Sequence, residues 1–321
     1  MAEREAQIAA ASPSFTPPAG LITQLTGVEG VHLAAPEDAP SDLAVAAARK
    51  LLAETGADPE DIDLVVFAAG SQDVTEPATA HIIAAKLGLS CPVFDVKNAC
   101  NSVLNAIELT QALVAGGHYA SVLIVCGERG SDMTRLRVPD PAAFARAFPG
   151  YGFSDVGAAL LFTAVEERPG APGVLGCRFL ADSSLWGATL VPAGGSAAIR
   201  EPSEETRYVR MDGSAMRDGI RVLVPRLTGL LDDLGLRFGE FAFVGVHQVA
   251  VADVRTLVGA GMGITKEQMV VTVARHGNVA SASLPLQLVQ ARERGLAGPG
   301  DLVALLGLAA GASVGLAVLR L

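Results

Sequence analysis

The chain has 321 residues, half of them apolar and 18% charged, with 24 Lys and Arg against 34 Asp and Glu for a formal net charge of −10. That composition supplies a large core and excludes disorder and collagen-like repetition. The acidic balance opposes binding to phosphate backbones or anionic bilayers, so neither a nucleic-acid nor a membrane partner is expected.

The opening Met1-Ala2-Glu3-Arg4-Glu5 places acids where a secretory leader places bases, and no sustained apolar run follows. A cytoplasmic location is expected. The four cysteines, Cys91, Cys100, Cys126 and Cys177, form no CxxC pair and have no histidine at metal-ligand spacing. They signal neither a zinc site nor a disulfide framework, and no cofactor is implied.

Short Val/Ile/Leu/Phe runs alternate with longer Ala/Leu-rich stretches, the pattern of βα units around sheets covered on both faces, so the class is α/β. In chain order the spacing predicts a helix over 41–55 with Ser41 as its N-cap, a strand over 64–68, a helix over 77–87 and a strand over 92–96. A long helix then runs from about Cys100 to the pair Gly116-Gly117, followed by strands over 121–125 and 158–162. Residues 166–206, rich in Pro, Gly and Ser, are expected to wander over the surface and cover the site. Beyond them come a helix near 218–234, a strand over 241–246, a helix near 251–259 and a helix after Ser283.

Residues 302–319 carry no charge and approach the length of a membrane span. Gly307, Gly311, Ser313 and Gly315 break the stretch, which reads instead as two buried strands around a glycine turn. Segments 123–127 and 156–162 have counterparts in 302–307 and 314–319, a pattern of duplication. The expected halves are residues 1–165 and 166–321.

Cys100 sits where the strand-like Val93-Phe94-Asp95-Val96 passes through Lys97-Asn98-Ala99 into a helix. Free backbone N–H groups and the positive helix end favour thiolate there and would make Cys100 a nucleophile. The alternative is a small buried apolar residue, the role assigned to the other three cysteines. His247 ends the run Phe243-Val244-Gly245-Val246, and Asn278 sits in a turn before Val279. A distant Cys, His and Asn can form a nucleophile with two partners, although such sets also arise by chance.

Five stretches resemble the ketoacyl-ACP synthase III branch of the thiolase-fold condensing enzymes, in that family's order. They are Asp95-Val96-Lys97-Asn98-Ala99-Cys100, then Phe153-Ser154-Asp155-Val156-Gly157-Ala158-Ala159, then Met211-Asp212-Gly213, then His247-Gln248, and finally Gly277-Asn278-Val279-Ala280-Ser281-Ala282-Ser283-Leu284-Pro285. The glycine-rich turn at 307–315 matches in position. The resemblance implies a thiolase-like fold of two duplicated βαβαβ-type halves in a five-layered αβαβα arrangement. It implies Cys100 as acyl-accepting nucleophile, His247 and Asn278 as donors to a thioester carbonyl, and the backbone N–H groups of Cys100 and Ala310 as an oxyanion hole.

By the same resemblance the partners are acyl-ACP or acyl-CoA substrates, an acyl carrier protein and a second copy in a homodimer. Arg210, Arg217, Arg221 and Arg255 are candidates for docking the acidic carrier, and residues 67–79 and 144–153 for lining the acyl channel. The chain departs from the family in lacking the N-terminal aromatic and arginine clamp for adenine: its sole tryptophan is Trp186. The expected reaction is a decarboxylative condensation in specialised polyketide or fatty-acid-derived metabolism. Transfer from Cys100 to an alcohol or amine, with His247 as general base, is an alternative, as is a non-catalytic partner subunit.

Overall fold

The computed structural model describes residues 1–166 and 168–321. Its elements are α1 (Ala2–Ala11), α2 (Leu21–Thr26), α3 (Pro40–Thr55), β1 (Leu64–Ala68), α4 (Thr79–Leu87), β2 (Val93–Val96), α5 (Ser102–Ala115), β3 (Ser121–Arg129), α6 (Pro141–Ala147) and β4 (Asp155–Thr163). There follow β5 (Gly173–Ala181), β6 (Thr189–Leu190), α7 (Ser196–Arg200), α8 (Glu204–Arg207), β7 (Arg210–Met211), α9 (Gly213–Leu227), α10 (Gly229–Leu234) and β8 (Phe243–Val246). The chain closes with α11 (Val251–Val258), α12 (Val273–His276), α13 (Ser283–Glu293), β9 (Leu302–Ala309) and β10 (Ser313–Arg320).

Two four-stranded sheets form, in the orders β2-β1-β3-β4 and β5-β10-β9-β8. In the first, β1 runs parallel to β3 and β3 antiparallel to β4; in the second, β8 runs parallel to β9 and β9 antiparallel to β10. The duplication expected from sequence is therefore present in the strand pairing. It extends to single residues, because Gly127 pairs with Gly157 across β3 and β4, and Gly307 pairs with Gly315 across β9 and β10.

Both glycine pairs make room for a neighbour packed on the sheet. A side chain at Gly127 would collide with the Pro40 carbonyl and one at Gly157 with the Leu43 carbonyl, so α3 lies directly on the strands. An added Cβ at Gly307 would instead meet Asn101 and Leu104 at the start of α5, and one at Gly315 would meet the Phe179 ring of β5. Gly127→Ala is expected to cost about 3 kcal/mol, since the obstacle is helix backbone and not a side chain that can rotate away. Urea unfolding of the variant against wild type checks this.

The layers follow from burial. Helices α3 and α4 cover the outer face of the first sheet, and α9, α10 and α11 the outer face of the second. Helices α5 and α13 lie between the sheets and touch both. Period-two alternation sorts the second sheet: Val314, Leu316 and Val318 of β10 pack toward α9, while Ala317 and Leu319 join the central core. A strand buried on both faces must be apolar throughout, which is why 302–319 imitates a membrane span. Among the described residues no helix is long and apolar enough to cross a membrane.

Three expectations need correction. Ser41 does not cap α3: Ala39 is the N-cap, its N–H held by the Asp42 carboxylate at 3.0 Å, while the Ser41 hydroxyl donates to Asp73 at 2.6 Å. Residues 166–206 do not merely wander, since nine of them form β5 along β10. The helix expected over 218–234 starts earlier, at Gly213, because Asp212 accepts from the Ser214 and Ala215 N–H groups, and it divides around Thr228 into α9 and α10.

Candidate active site

The Cys100 segment is built at the end of β2. The Asp95 carboxylate accepts from the Thr79 and Ala80 N–H groups, both at 2.8 Å, and so caps α4 from the neighbouring strand. The backbone then turns through Ala99 at φ +47° before Asn101, the N-cap of α5. The Asn101 amide donates to Ser313 Oγ at 3.1 Å, which ties the residue after Cys100 to the start of β10. Ala99, Ala280 and Ala312 are the non-glycine residues with positive φ among the described residues, and all three lie in the segments converging here. Such strain persists only where surrounding contacts hold it.

Asn278 is fixed by the opposite half. Its N–H donates to the Gly152 carbonyl at 2.7 Å and its carbonyl accepts from the Ser154 N–H at 3.1 Å. A Cβ on Gly277 would stand 2.6 Å from that same Gly152 oxygen, so only glycine permits the approach. Asn278 Oδ1 accepts from the Ala280 N–H at 3.0 Å. An N–H can only donate, which identifies the oxygen and leaves the Nδ2 hydrogens as the free donors.

Gln248 explains why a glutamine follows the histidine. Its Oε1 accepts from the Thr272 and Val273 N–H groups at 2.9 and 3.1 Å, and its Nε2 donates to the Val270 carbonyl at 2.7 Å. This buried amide shapes the segment that leads through α12 to Asn278. His247 closes β8 with its N–H on the Leu306 carbonyl at 2.9 Å, and its ring is buried with Nδ1 unpartnered. Burial pulls the imidazole down to about 4, opposed only by the Ala280 backbone. At neutral pH the ring is uncharged and carries one N–H to donate.

Burial works against the Cys100 thiolate that the helix end was expected to favour. Burial first, and the nearby Glu128 carboxylate second, raise the thiol to about 12; the Cys100 N–H opposes them weakly. The helix end is outweighed because desolvation of a charge is the larger effect. Cys100 as a residue is partly exposed.

The second motif is structural. Ser154 Oγ accepts from the His32 N–H at 2.7 Å, and the Asp155 carboxylate accepts from the Ala34 N–H, the Ser131 N–H and the Ser131 hydroxyl. Phe144, Phe148 and Tyr151 meet in edge-on and tilted ring contacts and pack with Ile8 and Ile22 in a small core under α1 and α2. Of 144–153, only the C-terminal end adjoins the Asn278 segment. Arg210, Arg217, Arg221 and Arg255 are all exposed on β7, α9 and α11. Arg221 stands 3.9 Å from Asp218, and Arg217 faces Asp212 and Asp253. Sequence reasoning missed Glu128, whose place is apparent only once β3 is set beside the loops it touches.

Two sheets of duplicated topology enclosing two helices, with helices on both outer faces, define the thiolase fold. A variant of OleA from Xanthomonas campestris superposes with a TM-score of 0.86 at 23% identity, over 99% of this chain and 93% of that one. A 3-oxoacyl-(acyl carrier protein) synthase III from Xanthomonas oryzae superposes equally well, with a TM-score of 0.86 at 24% identity over 99% and 93%. These similarities concern the fold. In sequence, residues 94–182 match the 3-oxoacyl-[acyl-carrier-protein] synthase III family and residues 231–321 its C-terminal region. Relatives named beta-ketoacyl-[acyl-carrier-protein] synthase III are 31% identical in Symbiobacterium thermophilum, over 92% of this chain and 87% of the relative, and in Erythrobacter litoralis, over 93% and 89%. The chain belongs to the 3-oxoacyl-ACP synthase III family and is an acyl-transferring enzyme.

Proposed function

We propose that the enzyme loads an acyl group from a thioester onto Cys100 and condenses it with a malonyl-type thioester, releasing carbon dioxide. The observation that supports this reading is the Asn278 amide, whose Nδ2 is left free by the Ala280 N–H on Oδ1, with the neutral, buried imidazole of His247 beside the same Ala280 backbone. Decarboxylation of a malonyl thioester develops negative charge on its carbonyl oxygen, and two preorganised N–H donors in a dry site stabilise that enolate. The enolate carbon then attacks the acyl-Cys100 carbonyl, and the backbone N–H groups of Cys100 and Ala310 receive the second oxyanion as the carbon–sulfur bond breaks.

The imidazole also separates this reading from transfer to an alcohol or amine. A base held near 4 is poorly matched to removing a hydroxyl proton at pH 7, whereas a neutral N–H donor suits the enolate. The acyl chains arrive on acyl-ACP or acyl-CoA. Exposed Arg210, Arg217, Arg221 and Arg255 are the proposed docking points for an acyl carrier protein. We assign residues 1–165 and 166–321 to the two halves, and a homodimer through the open edge of β2, where Val93, Phe94 and Val96 are half-buried. Without a visible adenine clamp, service in specialised polyketide or fatty-acid-derived metabolism in the cytoplasm fits best.

The test is intact-protein mass spectrometry with acyl-CoA and acyl-ACP donors, followed by carbon dioxide release on adding malonyl-ACP. A mass gain in wild type that Cys100→Ala lacks, with carbon dioxide evolved, is the expected result. Acylation with turnover onto an alcohol or amine and no carbon dioxide would replace the condensation reading.

A further inference from the structure

Glu128 lies near the inner end of β3, fully buried, and no step above uses it as a reacting group. Its carboxylate accepts from the Gly70 N–H at 2.8 Å, the Ser71 N–H at 3.1 Å, the Ser71 hydroxyl at 3.0 Å and the Ser281 N–H at 3.3 Å. The Ser281 hydroxyl also donates to it, and Cys126 Sγ stands 3.3 Å from that hydroxyl. Three of the five donors are backbone N–H groups, which cannot accept, so the site is built for an ionised acceptor. A buried charge is tolerated because this many donors replace its lost water.

The donors belong to different parts of the fold. Gly70 and Ser71 follow β1 in the first half, and Ser281 belongs to the Asn278 segment of the second. Ser281 directly follows Ala280, whose N–H orients the Asn278 amide and whose backbone borders the His247 ring. Fixing Ser281 therefore fixes the neighbour that aims Asn278.

We propose that Glu128 is a positioning residue whose carboxylate locks the Asn278 segment of one half to the Cys100 side of the other, aligning the enolate donors with the nucleophile. This rests on the reading of Cys100, His247 and Asn278 given above. The same charge lies close enough to Cys100 to oppose thiolate formation, second to burial. Glu128 thus leaves a signature on the free enzyme that needs no substrate.

Glu128→Gln cannot satisfy the set, since its amide NH2 turns a donor toward backbone N–H groups. The variant is compared with Glu128→Asp, Ser281→Ala and wild type. Iodoacetamide alkylation of Cys100 is followed against pH by peptide mass, and acyl loading and carbon dioxide release are timed separately. For Glu128→Gln the alkylation midpoint should fall by about one pH unit or more, loading should stay within about threefold, and condensation should drop about 100-fold. Glu128→Asp should keep the wild-type midpoint, and Ser281→Ala should keep it while slowing condensation about tenfold.

A Glu128→Gln profile coinciding with wild type overturns the proposal. So does an equal loss of loading and condensation that tracks a lowered melting temperature, the mark of general destabilisation. If Glu128→Gln does not fold, the split between loading and condensation in Ser281→Ala decides. If wild type takes no acyl group from any donor, the proposed function fails instead, and amide hydrogen exchange of residues 278–281 in Glu128→Gln judges Glu128: faster exchange confined to that segment supports the lock and unchanged exchange removes it.

Discussion

Asn278→Asp is expected to slow condensation by about 1,000-fold or more while leaving acyl loading on Cys100 nearly unchanged. One carboxylate oxygen can keep the bond from the Ala280 N–H, so the local backbone has no reason to move. The other oxygen stands where Nδ2 stood, replacing two donor hydrogens by a negative charge beside a developing enolate. Loss of a single oxyanion donor costs about 100- to 1,000-fold, and repulsion adds to it. In the proposed reaction loading draws on the Cys100 and Ala310 backbone, which the substitution does not touch. Rapid-quench measurement of acyl-Cys100 against carbon dioxide release separates the two steps. Condensation within tenfold of wild type would remove Asn278 from the enolate.

The second large effect is on stability in acid. His247 is held near 4 in the folded protein against 6.5 for an ordinary histidine. Between those values the unfolded chain binds a proton that the folded protein does not, so stability rises with pH through this window. The contribution is fully present above pH 6.5, is lost as pH falls toward 4, and does not change further below. The shift corresponds to about 3 kcal/mol, of which about 2.5 kcal/mol should be gone at pH 4.5. Urea unfolding of wild type and His247→Asn at pH 7 and pH 4.5 checks this, because the asparagine variant lacks the titration. The expected result is a wild type that loses about 2.5 kcal/mol more than the variant. Equal losses would place the imidazole in a wetter or paired environment.

The legible parts of the fold were those with strong local signals. Strand β1 has the bounds that its Leu-Val-Val-Phe-Ala run gives, and the hairpin of β9 and β10 follows from glycines interrupting an apolar stretch. Strand β5 was obscured because the Pro, Gly and Ser of residues 166–206 outweigh the apolar residues of Val174, Leu175, Phe179 and Leu180 when averaged together. Helix α3 is capped by Ala39 rather than by Ser41 because the hydroxyl that would have capped it is taken by Asp73, 32 residues away in the chain. Local preference yields wherever a distant partner offers a better bond.

The residue types of the candidate site were likewise visible: a cysteine before a helix, a histidine closing a strand, an asparagine in a glycine turn, and the wording around them that marks the family. Their chemical states were not. Whether Cys100 is thiol or thiolate depends on how much water the packed sheets exclude and on Glu128, which lies 28 residues away in sequence. Whether Asn278 donates or accepts depends on the Ala280 N–H, held at a strained φ by its surroundings. The sequence by itself determined the alternation of elements and the repeated strand pattern, which follow from spacing along the chain, and its resemblance to the family pointed to the candidate site residues. Only the tertiary structure decided burial, amide orientation and the bonds that join Glu128 to Ser71 and Ser281, because these are properties of neighbours that the chain brings together by folding.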